Sequence, residues 1–284
     1  MMNKLWTVGA LLTWTTQFFT SKGIDSPRLD AEILLSHVLK KERIYLYAHY
    51  DEPMTTEELA AYRELVKKRA DRLSVAHILG EKSFMGLDFL VNEQVLIPRP
   101  ETEMLVETVL GQLTQDSQAH ILDIGTGSGA ILLSILHERP QCRGLGVDIS
   151  QQALDVARKN GERLGLSDRV SWKISDLLAS VPPAAYDWVP PYLTADDMHH
   201  LQPEVRHDPA LALFGGEDGL EYYRRIAGDV VPYVKVDGFC AVEAGAGQSR
   251  DIASIFTGTG HFALQRIVND YGGIERVVVF QRKE

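Results

Sequence analysis

The sequence predicts an α/β protein in which a mostly parallel sheet with interleaved helices follows a small all-helical domain. Three observations lead there. First, Ile121, Leu122 and Ile124 form a short apolar run, the pattern of a strand buried on both faces. It passes directly into Gly125-Thr126-Gly127-Ser128-Gly129 and then into an apolar helix over 130–136. Second, two further apolar runs follow, Leu145, Val147 and Ile149, then Val170–Ile174, with Asp148 and Asp176 at their C-terminal ends. Third, the first 75 or so residues show helical periodicity and no strand-like alternation.

In the N-terminal segment, Leu5, Val8, Leu11 or Leu12, Phe18 and Phe19 outline an amphipathic helix. Ser26-Pro27 is a helix start, with a side-chain cap followed by proline, whose missing N–H does no harm there. An apolar stripe of Leu29, Ile33 and His37, flanked by Leu34 and Val38, follows. Thr55 and Glu58 fit a capping box leading into Leu59, Tyr62, Val66, Arg69 and Leu73 at helical spacing. Nothing in this segment looks catalytic, and a structural bundle and a partner-recognition module both fit it.

Residues 80–94 change period: Leu87, Phe89 and Val91 alternate as in a hairpin. Pro98-Arg99-Pro100-Glu101-Thr102-Glu103 then stiffens the entry to a helix over 102–113, with Glu101 and Glu103 where the helix dipole favours acids. The expected organisation is a helical domain over 1–77, a hairpin linker over 78–97 and an α/β domain over 98–284. Past the third strand, Tyr186–Val189 reads as a fourth, followed at once by Pro190-Pro191-Tyr192. Residues 193–219 are polar and rich in turn formers, as in a lid. A helix over 220–231, a strand over 239–242, a helix over 248–256 and strands over 262–268 and 276–280 complete the chain.

The 284 residues, 45% hydrophobic and 24% charged, have the composition of a soluble globular protein. Apolar runs are too short to span a bilayer, and the first 20 residues carry Trp, Thr and Gln where a signal peptide needs an apolar block. Cys142 and Cys240 are isolated, so neither a disulfide framework nor a zinc site is expected, and a reducing cytosol fits. The net charge of −10 is uneven: residues 1–80 carry 11 basic against 10 acidic side chains, the remainder 18 against 29. An acidic catalytic domain repels a phosphate backbone, which argues against unaided binding of nucleic acid and favours a protein or small-molecule partner. His199, His200 and His207 lack metal-ligand spacing, so no metal is expected. Glu204, Arg206 and Asp208 read as lid ion pairs, and Tyr222, Tyr223 and Tyr233 as helix packing.

The glycine turn is Gly-x-Gly-x-Gly, not the Gly-x-Gly-x-x-Gly of dinucleotide sites, so no pyrophosphate is implied. Asp148 follows Gly125 by 23 residues, close to the offset of about 20 at which a ribose-binding acid follows such a turn. A glycine turn and two acids at three successive strand ends indicate a nucleoside ligand. With these features the sequence resembles the class I S-adenosylmethionine-dependent methyltransferases. That resemblance implies a seven-stranded Rossmann-like sheet with its last strand antiparallel. It places S-adenosyl-L-methionine against Asp123, Gly125, Thr126, Gly127, Ser128 and Gly129, its ribose on Asp148, and its adenine beside Asp176 and Leu177.

The likeness narrows at Phe84-Met85-Gly86-Leu87-Asp88-Phe89 and Ile97-Pro98-Arg99-Pro100-Glu101-Thr102-Glu103. It extends to Asp25-Ser26-Pro27-Arg28-Leu29-Asp30-Ala31-Glu32 and Leu213-Phe214-Gly215-Gly216-Glu217-Asp218-Gly219-Leu220. Here the chain resembles the release-factor glutamine methyltransferases, which methylate the glutamine amide in the Gly-Gly-Gln motif of peptide chain release factors. The resemblance implies release factors as partner, with Arg99 and Glu101 on the substrate side. It also implies a catalytic pocket at Pro190, Pro191 and Tyr192, matching the family's Asn-Pro-Pro-Tyr. In that motif the Asn side-chain oxygen and the first proline's carbonyl accept from the amide, which orients a poor nucleophile, and successive prolines fix φ.

No asparagine precedes Pro190 here; Val189 stands in its place. The fourth strand is also short, as if about three residues ending in Asn were missing. Either the chain has lost its acceptor, or the natural molecule has residues that this sequence omits; the match on both sides favours omission. Two other functions remain open: an amino-methyltransferase acting on adenine or cytosine, against which the acidic charge argues, and a non-catalytic S-adenosylmethionine-binding protein.

Overall fold

The computed structural model describes residues 6–182, 186–189 and 218–284. Contacts divide the chain into two units, one ending at Gly80 and one opening at Glu81, so the hairpin belongs with the second unit.

The first unit is helical: α1 (Val8–Ser21), α2 (Pro27–Leu39), α3 (Arg43–Ala48), α4 (Thr56–Ala70) and α5 (Val75–Leu79). Thr7 caps α1 by accepting from the Ala10 amide, and α4 has the expected capping box, Thr55 and Glu58 each accepting from the other's backbone N–H. Ser26 departs from expectation: Pro27 begins α2, but Ser26 makes no side-chain capping bond. Val8, Leu12, Phe19, Leu34, Leu35, Leu46, Tyr62 and Val66 form the buried core, and Tyr62 Oη donates to the Ala31 carbonyl at 3.0 Å.

The stripe expected on α2 is displaced. Leu29 is 41% exposed, while Ala31, Leu34 and Leu35 are buried. Two acids on the buried side explain the shift. Asp30 accepts from Arg69 Nε at 2.7 Å, and Glu32 accepts from Arg28, Arg43 and Tyr47. Burial alone would raise the Glu32 carboxyl, but these hydrogen bonds outweigh it and hold it below the usual carboxylate range. Charged side chains can be interior only when paired this way, and apolar periodicity does not register them.

In the second unit, β1 (Glu81–Phe84) and β2 (Leu87–Leu90) pair antiparallel across Met85-Gly86. Both turn residues have positive φ, 51° and 73°, the geometry of a two-residue hairpin turn matched to strand twist. A single turn of 3₁₀ helix over Pro100–Thr102 precedes α6 (Glu103–Leu110), and Glu103 Oε1 accepts from the Met85 amide at 2.8 Å, tying the hairpin turn to this helix start.

There follow β3 (His120–Ile124), α7 (Ala130–Glu138), β4 (Arg143–Asp148), α8 (Gln151–Arg163), β5 (Val170–Ile174) and β6 (Tyr186–Val189). The chain continues with α9 (Glu221–Asp229), β7 (Val234–Glu243), α10 (Ser249–Gly258), β8 (Phe262–Asn269) and β9 (Glu275–Arg282). They build a seven-stranded sheet in the order β5-β4-β3-β6-β7-β9-β8. Neighbouring strands are parallel except around β9, which runs antiparallel to both β7 and β8. This is the Rossmann-like arrangement of the class I methyltransferases. The fifth strand of this sheet is longer than its apolar stretch, because Lys235 and Asp237 charge its first half and hide the pattern. Strand order reverses between β3 and β6, and ligands of open α/β sheets bind beyond the strand carboxyl ends at such a point.

Replacing Asp30 with alanine is expected to cost about 3 kcal/mol, because removing one partner of a buried pair leaves a charge in a low-dielectric interior. Amide hydrogen exchange in α2 and α4 of the full chain should accelerate; unchanged protection would remove the Asp30–Arg69 pair from what holds this unit together.

Candidate functional site

The turn between β3 and α7 is pinned by backbone and side chains from several elements. The Gly125 and Thr126 amides both donate to the Val147 carbonyl on β4 at 2.9 Å. Gly127 N–H donates to Asp148 Oδ2 at 2.9 Å, and Ser150 N–H to Asp148 Oδ1 at 2.9 Å. Gly127 sits at φ 54°, and a Cβ there would meet nothing but the Gly125 carbonyl at 4.0 Å. A side chain at this position would be strained and would project into open space above the turn, so glycine keeps that space clear.

Asp123 and Gly129, both expected among the cofactor contacts, are placed otherwise. Asp123 is fully buried beneath the turn and accepts from Thr126 Oγ1 at 2.6 Å. It reaches the cavity only through Thr126. Burial, together with the negative charge of Asp148, pushes its carboxyl up to about 7. Gly129 is packed: a Cβ there would fall 3.0 Å from both Leu133 and Trp172, so its small size serves helix-on-sheet packing at φ 80°.

The opening beyond these strand ends is a cavity of about 420 Å³, within the usual range for a small-molecule site. Gly125, Thr126, Gly127 and Ser128 line it, together with Asp148, Ile149, Ser150 and Gln152. Burial raises the Asp148 carboxyl, and the amides of Ser150 and Gly127 only partly offset that. With one N–H on each oxygen, the carboxylate keeps acceptor sites for two more donors. Asp176 and Leu177 also line the cavity, Leu177 holding the left-handed φ of 48° that a bulky side chain rarely takes. Pro98 and Thr102 face the cavity, whereas Arg99 and Glu101, expected on the substrate side, do not line it.

Sequence reasoning missed three contributors. The sequence pattern marks Ile149 only as a strand residue, yet it is 54% exposed and lines the cavity; an apolar side chain directly after Asp148 is the available signal. Arg225, on α9, lines the cavity and donates to Asp176 Oδ1 at 2.8 Å. Asn160, fully buried on α8, accepts from Leu90 N–H at 2.7 Å and donates to the Leu90 and Ser128 carbonyls at 3.0 and 2.9 Å. It joins the hairpin to the glycine turn, and no local pattern marks it.

Pro190, Pro191 and Tyr192, the Val189–Pro190 join, the region over 193–217 and His199, His200, His207, Glu204, Arg206 and Asp208 lie outside the described residues. Val189, immediately before, is fully buried at the end of β6. Among the described residues, no three His, Cys, Asp or Glu side chains are grouped to hold a metal ion, and no helix is long and apolar enough to cross a membrane.

Asn160→Ala strips partners from two carbonyls and one amide and should cost about 2–3 kcal/mol, the penalty for buried polar groups left unmade; the denaturant midpoint of the full chain measures it. For Asp123 the sign follows from its raised value. The folded state holds the proton more tightly than the unfolded, so this group's contribution to stability is complete below the ordinary carboxylate value and is lost as pH rises through about 7. Asp123→Asn should therefore flatten the decline in unfolding free energy between those limits. An unaltered pH profile would place the ionisation elsewhere.

The family described as the PrmC N-terminal domain matches residues 10–80, and that described as a methyltransferase domain matches residues 115–197. A solved methyltransferase from Pyrococcus furiosus shares the fold, with a TM-score of 0.55 at 16% identity over 80% of this chain and 99% of its own. The release factor glutamine methyltransferase of Geobacter sulfurreducens is 39% identical over 97% of this chain and 96% of its own length. That of Agrobacterium fabrum is 39% identical over 97% and 98%. Full-length similarity at this level, on a seven-stranded sheet with a pinned glycine turn, establishes that the chain belongs to the release factor glutamine methyltransferases.

Proposed function

We propose that this protein transfers a methyl group from S-adenosyl-L-methionine to the side-chain amide nitrogen of the glutamine in the Gly-Gly-Gln motif of a peptide chain release factor, in the cytosol. The sulfonium's S–CH3 bond breaks as the N–CH3 bond forms, the amide nitrogen gives up one proton to solvent, and S-adenosyl-L-homocysteine is the other product. The observation that carries the reading is the cavity at the switch point, with the clear space over Gly127 beside Asp148. The residues present suit a nucleoside-sulfonium ligand: Asp148 retains acceptor sites for vicinal ribose hydroxyls, Ile149 offers an apolar surface to a base, and Asp176 an acceptor to its amine.

When bound, the cofactor supplies an electrophilic methyl group on a sulfonium. The protein's share is positioning and exclusion of water. The turn amides and Asp148 fix one end of the cavity, and Pro98 and Thr102 confine another part of its wall. The amide nitrogen's lone pair is delocalised, so acceptors must hold its N–H groups and stabilise the positive charge developing there. In this reading the Pro190 carbonyl is such an acceptor, Pro191 fixes its direction, and Tyr192 lines the pocket, with Arg99 and Glu101 on the side where the substrate enters. The helical unit recognises the protein substrate, and no direct nucleic acid contact is required.

A second reading is favoured by one observation. Where the family places asparagine, this sequence has Val189, fully buried and without a side-chain acceptor. A chain that binds S-adenosylmethionine but transfers nothing would result. Both readings are tested by incubating the protein with methyl-labelled S-adenosylmethionine and purified release factor, alongside a release factor whose motif glutamine is replaced by alanine. Label on the first substrate alone is expected. Cofactor binding with no label on either would establish the second reading; label on both would rule out the assigned acceptor.

A further inference from the structure

Two side chains that line the cavity, from different elements, are joined by an ion pair. Asp176 follows β5, and Arg225 projects from α9, one helical turn beyond Tyr222 on the same cavity-facing side. Arg225 Nη2 donates to Asp176 Oδ1 at 2.8 Å, with the two side chains 41% and 50% exposed. An exposed pair of this kind contributes little to folding, so stability is a poor reason for its place on the rim. Its consequence for the site is geometric. Oδ1 of this cavity-lining residue is engaged, which restrains the torsion of the carboxyl group and leaves Oδ2 as an acceptor.

We propose that Arg225 is a positioning residue for nucleobase specificity. By holding Oδ1 it presents Oδ2 of Asp176 in a fixed direction to the exocyclic amine of a 6-aminopurine, and it disfavours a 6-oxopurine, whose carbonyl would face a carboxylate oxygen. The inference rests on the cofactor reading above and adds to it the residue that sets base selection. Without Arg225 the carboxylate is free to rotate and hydrate, and the preference for an amine weakens.

The test is calorimetric titration of the full-length protein with S-adenosylhomocysteine and with its 6-oxo analogue, S-inosylhomocysteine. Wild type should prefer the amino compound by about tenfold, the worth of one hydrogen bond to a charged acceptor. Arg225→Ala should bring the two within about threefold, mainly through weaker binding of the amino compound. Arg225→Lys, which keeps a cation able to reach one oxygen, should retain most of the ratio and decides the matter should the alanine variant fold poorly. Equal weakening of both ligands with the ratio intact would reduce Arg225 to packing and overturn the proposal. So would a wild-type ratio near one, with the cofactor reading left standing. No binding of either compound to the wild type would instead overturn the cofactor reading, and this proposal with it.

Discussion

The hydrogen bond from Gly127 N–H to Asp148 is the constraint on which the site is built. A turn with three glycines at positive φ loses more conformational freedom on folding than one built of residues with side chains, and other elements hold its shape. Asp148 fixes it from β4, the Val147 carbonyl takes two of its amides, Thr126 is held by Asp123 beneath, and Asn160 takes the Ser128 carbonyl from α8. Trp172 on β5 closes the underside, lying so near Gly129 and Gly146 that a Cβ on either would collide with its ring. Four elements therefore converge on five residues, and the clear space above Gly127 is the result.

The electrostatics follow from the same convergence. Asp123 and Asp148 are drawn into one small volume by the adjacent ends of β3 and β4, and burial raises both carboxyls. Asp123 has no access to the cavity; its part is mechanical, through Thr126. Asp148 faces the cavity, and Asp176 faces it with Arg225 in attendance. Among the described residues, the charged side chains lining the cavity are thus two acids and one arginine, and Asp176 is paired with that arginine.

The end of β6 is apolar. Val189 is paired with Cys240 on β7 and wholly buried, so the strand delivers an apolar side chain where an amide-binding site needs an acceptor. The strand has four residues beside a neighbour of ten. Full-length similarity to release factor glutamine methyltransferases stands on either side of this point. Val189 departs from the family's asparagine, while the family membership and the cavity beyond the strand ends stand.

Local chemistry by itself determined the strand–turn–helix at 121–136, the acids at the ends of β4 and β5, the capping box of α4 and the hairpin, because each depends on periodicity or on residues three or four positions apart. Tertiary structure alone decided what lay far apart in the chain. Asn160 meets Leu90 across 70 residues, and Arg225 meets Asp176 across 49. The burial of Asp30 and Glu32 displaced the apolar stripe of α2, and it depends on partners far along the chain, Arg69 for Asp30 and Arg43 and Tyr47 for Glu32. Asp123 shows the division within one residue. Its place at the end of a strand was legible in order and spacing, but whether it would face a ligand or support the turn from below depended on which way the strand presented it to its neighbours. Asp123 stands one residue before the strand's end, and only the packed structure, in which Thr126 folds back onto it, puts it beneath the turn and outside the cavity lining.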